Sequence, residues 1–180
     1  MVKLDVITTR GGDSGETSLG DGTRLPKHAA RIEALGAVDE ANCAIGLLRL
    51  HTAQEEDAML ARIQNDLFDL GADLAVPGEE GLRVSAAQCL RLERELASMN
   101  EDLEPLRSFV LPGGTPAAAH AHLARALARR AERAVAALAA EEAVNGNALR
   151  YLNRLSDHLF VLSRSLNMGQ DPLWQPGENR

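Results

Sequence analysis

This sequence predicts an all-α fold: a bundle of five helices behind an irregular, glycine-rich start. Three observations carry that expectation. The chain is 45% hydrophobic but only 3% aromatic, so its core must be built mainly from Leu, Ala, Val and Ile; strands favour aromatic and β-branched side chains, whereas Leu and Ala favour helices. Five segments repeat apolar residues at spacings of three and four, which places them on one helix face. Gly11, Gly12, Gly15, Gly20 and Gly22 crowd the front of the chain, and that density suits close backbone approach better than a packed core.

The 180 residues fit one domain over 1–180, with an N-terminal segment 1–27, a helical bundle 28–169 and a tail 170–180. A formal net charge of −7 argues against a general nucleic-acid binder, which needs a basic footprint. Cys43 and Cys89 form neither a CxxC pair nor a zinc spacing, and each is expected to be a small buried hydrophobe. The first ten residues lack the apolar core of a signal peptide, and no run approaches the ~18 apolar residues of a membrane span. The expected location is the reducing cytoplasm.

The segment 1–27 opens on a β-like stretch, Lys3 to Ile7, before the glycines. The first helix pattern runs from about 28 to 50, with the seam Ile32, Leu35, Asp39, Asn42 and Gly46. Two polar groups therefore share an apolar line, where an unpaired carboxylate is costly; an arginine partner, including one from another subunit, is the cheapest remedy. A second helix spans about 55–76 on Ile63, Leu67, Leu70 and Leu74, stopped by Pro77-Gly78. The third runs from about 85 to 99, with Ser85 as N-cap and Cys89, Leu92, Leu96 and Met99 as its stripe. A connector through Pro105 and Phe109 to Gly114 leads to the fourth helix, where Thr115 is the expected cap and Pro116 the first helical residue. The fifth, about 145–168, alternates Leu152, Leu155, Leu159, Leu162 and Leu166. That is the seam of a shallow left-handed crossing, as in ferritin-like up-and-down bundles. The tail holds two prolines and the only Trp, and reads as a surface strap or as disordered.

On the fourth helix Arg125, Arg129 and Arg133 recur every four residues with Glu132 on the same side, opposite Leu123, Leu127, Ala131 and Leu138. Like charges at that spacing repel by a few tenths of a kcal/mol. Solvent can screen such a face; alternatively, guanidinium forks match phosphate oxygens, and a phosphate-rich ligand would offset it. The stretch Thr9 to Leu19, with Lys27 just beyond, combines glycines, hydroxyls and cations. It is either a flexible arm or a loop aiming backbone N–H groups at phosphates. Neither GxxxxGK[ST] nor GxGxxG occurs in it. A di-iron site fails for want of Glu-x-x-His on two helices. His120 falls on the apolar side of the fourth helix and reads as a core residue; His122 projects towards the arginine face and within reach of a ligand. Asn153, beside the leucine seam of the fifth helix, serves either a structural hydrogen bond or a site. No Ser/His/Asp or Cys/His pair stands at nucleophile spacing.

Taken in order, four blocks resemble the PduO-type ATP:cob(I)alamin adenosyltransferases. They are Thr9 to Leu19, Arg31 to Glu40, Phe109-Val110-Leu111-Pro112-Gly113-Gly114 through Arg125 to Arg129-Arg130-Ala131-Glu132-Arg133, and Tyr151 to Asp157; Ile63 to Leu74 is similar too. The resemblance implies a homotrimeric five-helix bundle with active sites between subunits, transferring the 5′-deoxyadenosyl group of ATP to the cobalt of cob(I)alamin with release of triphosphate. It implies that ATP, with Mg²⁺, is held by Thr9, Arg10, Gly11, Gly12, Thr17 and Lys27, by Arg129, Arg130, Glu132 and Arg133, and by Asn153, with no residue assigned as a resident metal ligand. Asp39 and Arg125 match an intersubunit salt bridge, Phe109 an aromatic facing the lower side of the corrin, and Arg129 a catalytic arginine. A reductase and a cobalamin-dependent mutase are implied partners, and neither nucleic acid nor membrane. The chain departs from the family at Arg10, Gly11 and His28, all near the phosphate site. Two other classes stay open on the residues alone: a module that binds ATP and corrinoid without turnover, and a structural bundle with a solvated arginine face.

Overall fold

A computed structural model describes residues 7–78 and 81–178. Among them the chain forms a small hairpin, β1 (Glu16–Ser18) and β2 (Arg24–Pro26), and five helices: α1 (Ala30–Arg49), α2 (Gln54–Ala75), α3 (Ala86–Glu101), α4 (Pro116–Ala139) and α5 (Gly146–Leu166). The expected helices are all present. The stretch Lys3 to Val6 lies outside the described residues, and Ile7 is exposed in a bend. The start of the chain is more ordered than its glycines suggested. β1 and β2 pair antiparallel with Thr17 opposite Leu25, Leu19 is buried, and Gly20 N–H donates to the Ala75 carbonyl at 3.0 Å, docking the hairpin on the end of α2.

Helix boundaries follow their caps. Ser85 N–H donates to Gln88 Oε1 at 2.8 Å at the start of α3, and Thr115 Oγ1 accepts from Ala118 N–H at 3.1 Å with Pro116 directly behind it. α1 packs on α2 and α4, α4 on α5, and α5 on α3, so α4 lies between α1 and α5. Its buried line is Ala117, Ala121, Ala124, Ala128, Ala131, Val135 and Leu138, alternating four and three. Small side chains there let two neighbouring backbones approach closely. The expected leucine stripe is thus corrected: Leu123 is 46% exposed and Leu127 only partly buried.

Polar ties join the layers. Arg31, 3% exposed, donates to the Leu74 carbonyl at 2.7 Å and through Nε to Glu142 at 2.9 Å, linking α1, α2 and the loop before α5. Asp66 accepts from the Tyr151 hydroxyl at 2.8 Å and from Gln88 at 3.0 Å, and pairs with Arg91. These bonds satisfy a buried carboxylate, which would otherwise be expensive. Two burial expectations fail. Cys43 is exposed, because Ala34, Val38, Ala41, Ile45 and Leu48 set the inner face of α1; Cys89 is buried, and burial pushes its thiol up. Asp39 is exposed as well, one position outside that face, while Asn42 is buried and donates to the Gln64 carbonyl at 3.3 Å.

Candidate active site

Two concavities share the arginine side of α4. The first, ≈ 600 Å³, is walled by Leu106, Phe109, Val110, His122, Arg125 and Phe160. Phe109, 77% exposed, is placed mainly by backbone bonds: Trp174 N–H donates to its carbonyl at 2.8 Å, and Leu111 N–H to the Pro172 carbonyl at 2.8 Å, either side of the bridge between Val110 and Leu173, with the neighbouring Ser108 hydroxyl donating to the Trp174 carbonyl at 2.8 Å. The tail is therefore a strap, with the Trp174 ring 5.9 Å from that of Phe109. Arg164 anchors it by donating to Asp171 at 2.9 Å, and Asn167 joins Asp171 (3.1 Å) to the Gly113 carbonyl (3.1 Å) and to Thr115 N–H (2.9 Å). Gly114 sits there at φ +101°, where a side chain would be strained and would overlap the Asn167 carboxamide.

Of the two histidines, the expected core residue His120 is not buried, while His122, though buried, does line the cavity beside Arg125. His120 is half-buried and stacks on His51, with centroids 4.9 Å apart, whereas His122 is 3% exposed, edge-on to Phe160, with neither ring nitrogen hydrogen-bonded. The reading from large leucines had rotated the face of α4 away from its alanine line. Burial, and then Arg125, hold the His122 imidazole below its ordinary range, so it is neutral. Burial, and then Arg129, likewise lower Arg125, whose Nε is buried without a partner.

The second concavity, ≈ 610 Å³, lies between α4 and α5 and gathers Arg129, Glu132, Arg133, Arg150 and Asn153. Asn153 donates to Glu132 at 2.8 Å. Arg130 turns the other way, donating to Glu33 at 2.7 Å and pairing with Glu40 of α1, which separates it from the residues it was expected to join. Sequence reasoning missed Phe160 and Arg150. Arg150 was findable, since it stands three residues before Asn153, on the same helix face.

The N-terminal loop forms a separate cluster. Arg10 adopts φ 57°, Asp13 N–H donates to the Arg10 carbonyl at 3.3 Å, and Lys27 N–H to the Gly15 carbonyl at 2.8 Å. The Lys27 ammonium folds so closely over Gly12 that a Cβ there would stand 2.9 Å from it. Arg24 donates to the Gly11 carbonyl at 2.8 Å; Thr9 and Arg10 are exposed and Thr17 is half-buried. Among the described residues no hydrogen bond or ion pair joins this loop to Arg129, Arg133 or Asn153, and none joins Asp39 to Arg125. Asp39 instead borders an apolar hollow with Leu35, Val38, Phe68 and Ala72.

Residues 7–166 match the family model described as cobalamin adenosyltransferase. The chain is similar to a cobalamin adenosyltransferase of Cupriavidus metallidurans, 51% identical over 178 residues and 96% of each chain. It is similar to a corrinoid adenosyltransferase of Mycobacterium tuberculosis, 46% identical over 99% of this chain and 97% of that one. Among solved structures it resembles a phenylalanine-to-alanine variant of the PduO-type ATP:corrinoid adenosyltransferase from Lactobacillus reuteri complexed with cobalamin and ATP. The TM-score is 0.90 at 33% identity, covering 94% of this chain and 99% of that one. An arginine-to-lysine variant of that enzyme complexed with ATP matches with a TM-score of 0.89 at 34% identity, over 94% and 100% of the two chains.

Proposed function

The chain belongs to the cobalamin adenosyltransferase family, and we propose that two neighbouring copies complete each of its catalytic centres. Its activity is transfer of the 5′-deoxyadenosyl group of ATP to the cobalt of cob(I)alamin, giving adenosylcobalamin and triphosphate. The observation that carries the shared centre is the separation of its parts. The loop 9–27 and the arginine groove form separate clusters on one chain, and among the described residues Asp39 and Arg125 each lack a hydrogen-bond or ion-pair partner. A second copy in a ring would set the loop of one subunit over the groove of the next and bring Asp39 to Arg125. A homotrimer is the assembly we assign.

In this reading Phe109 and Phe160 cover the lower face of the corrin, favouring loss of the lower ligand and easier reduction to cob(I). Cobalt then attacks the 5′ carbon; the Co–C bond forms as C5′–O breaks, and the electron pair leaves with the triphosphate. Cobalt is the nucleophile, so the protein needs none. Its own work is alignment and stabilisation of the leaving charge. Arg129 and Arg133, with Thr9, Arg10, Gly11, Gly12, Thr17 and Lys27 from the neighbour, take the phosphates, and Glu132 and Asn153, bonded to each other beside these arginines, help to hold the nucleotide. Arg130 serves by tying α4 to α1. Mg²⁺ fits as an ion carried by the nucleotide: Glu132 is the one carboxylate lining the groove and already accepts from Asn153, so phosphate oxygens supply most of its ligands. The cytoplasm, a reductase supplying reduced corrinoid and a cobalamin-dependent mutase taking the product complete the assignment.

Mixing two inactive variants tests the shared centre. Lys27→Ala removes a loop group and Arg129→Ala a groove group. Assayed with chemically reduced cobalamin and Mg-ATP, each alone should consume little cob(I), whereas co-refolded mixed oligomers should regain activity, because some interfaces hold an intact loop opposite an intact groove. Mixtures that stay inactive would place the whole centre on one chain. ATP binding with no loss of the cob(I) spectrum in the unmodified protein would instead indicate a carrier.

A further inference from the structure

We infer that Arg150 is the residue that reads the terminal phosphate of ATP, and so distinguishes a nucleoside triphosphate from a diphosphate; this rests on the catalytic centre proposed above. The charges point to a polyanion. Arg154 donates to Glu93 at 2.7 Å and Arg130 to Glu33, so the neighbouring arginines of α4 and α5 that meet a carboxylate are directed elsewhere. Among the described residues Arg129, Arg133 and Arg150 meet no carboxylate partner, and Glu132 is the single acid lining the groove with them. Three guanidinium groups around one carboxylate need more negative charge than the chain supplies.

Direction follows from the helices. α4 and α5 run antiparallel: Thr115 at the start of α4 meets Asn167 past the end of α5, and Glu132 meets Asn153. Along α4, Arg125 walls the cavity beside Phe109, and Arg129 and Arg133 lie roughly 6 and 12 Å further on at 1.5 Å per residue. One turn back from Asn153 along α5, Arg150 falls beyond Glu132, in the half of the groove farther from Phe109. The 5′ carbon must reach the cavity, and the α, β and γ phosphates follow it outward in that order. A chain of phosphates spanning roughly 8 to 10 Å brings the last of them to Arg133 and Arg150, within their side-chain reach.

Arg150 is exposed and its one hydrogen bond goes to the neutral Asn147 Oδ1, at 3.2 Å, so its replacement leaves the fold standing. The test is titration calorimetry of the full-length protein and of Arg150→Gln and Arg150→Lys, with the magnesium complexes of ATP, ADP and inorganic tripolyphosphate. For Arg150→Gln, ATP and tripolyphosphate should bind about tenfold more weakly, with ADP changed less than about twofold, and the KM for ATP should rise with kcat nearly unchanged. Arg150→Lys should recover most of the loss, because a point charge is kept. An equal loss for ATP and ADP, or an unchanged ATP affinity, overturns the assignment and leaves the catalytic reading standing. Unmodified protein that binds no ATP overturns both.

Discussion

Replacing Arg129 by alanine isolates the leaving-group contribution. Its side chain is exposed and makes no hydrogen bond or ion pair among the described residues, and it stands one turn from the like charge of Arg125, which it helps to lower. Removing it therefore costs the fold almost nothing, within about 0.5 kcal/mol, and relieves a small repulsion. In the transition state negative charge collects on the departing triphosphate, and one charge-assisted contact to it is worth at least ~2 kcal/mol, or about thirtyfold in rate. The assay follows the cob(I) absorbance after Mg-ATP is added to chemically reduced cobalamin, at saturating ATP so that kcat is read directly. The melting temperature should hold or rise slightly while kcat falls at least about thirtyfold. Turnover within about threefold of the unmodified protein, at unchanged stability, would refute the role given to Arg129. A collapse of stability would refute the claim that the residue serves only the ligand.

Phe109→Ala should leave the melting temperature within about 2 °C, since the strap bonds use backbone atoms, and should lose activity from cob(II) under a reducing system more than from prereduced cob(I); equal losses would remove the coordination role. Arg31→Met orphans the Leu74 carbonyl, about 1–3 kcal/mol, while half-exposed Glu142 adds little, so the melting temperature should drop by about 2–12 °C. His122 is held below the ordinary histidine value of 6.5, so below that pH the unfolded chain takes up a proton that the fold does not. Its share of stability is therefore complete above about pH 6.5 and declines as pH falls towards its folded value. Denaturant midpoints between pH 5 and 7.5 should fall less steeply for His122→Phe, and identical slopes would contradict the neutral assignment.

Local signals in the sequence were strong where the physics is local. The Thr115-Pro116 start of α4 could be read directly because cap and first turn are adjacent residues. The arginine ladder was legible because i, i+4 spacing fixes a face. The phase of α4 was not, since large leucines outweighed the alanines that actually pack, and this one error misplaced Leu123 and His120 together. The hairpin escaped because three-residue strands are too short to show alternation. The pairing of Trp174 with Phe109 joins residues 65 apart, and the in-chain capture of Arg130 by Glu33 and Glu40 spans 97 and 90; no spacing rule reaches so far. Asp39 and Arg125 were matched by resemblance, and among the described residues of a single chain neither meets a partner.

The strap that holds position 109 through its peptide groups also separates scaffold from chemistry. The bond at position 109 uses its carbonyl, which every amino acid offers, so in the proposed reading the side chain beneath the corrin is an open socket rather than a structural member. An imidazole, a thioether or an unnatural donor could be installed there with its reach to the cobalt set in advance by the backbone. The same protein could then serve as a platform for tuning a cobalt centre whose axial ligand is chosen by the experimenter.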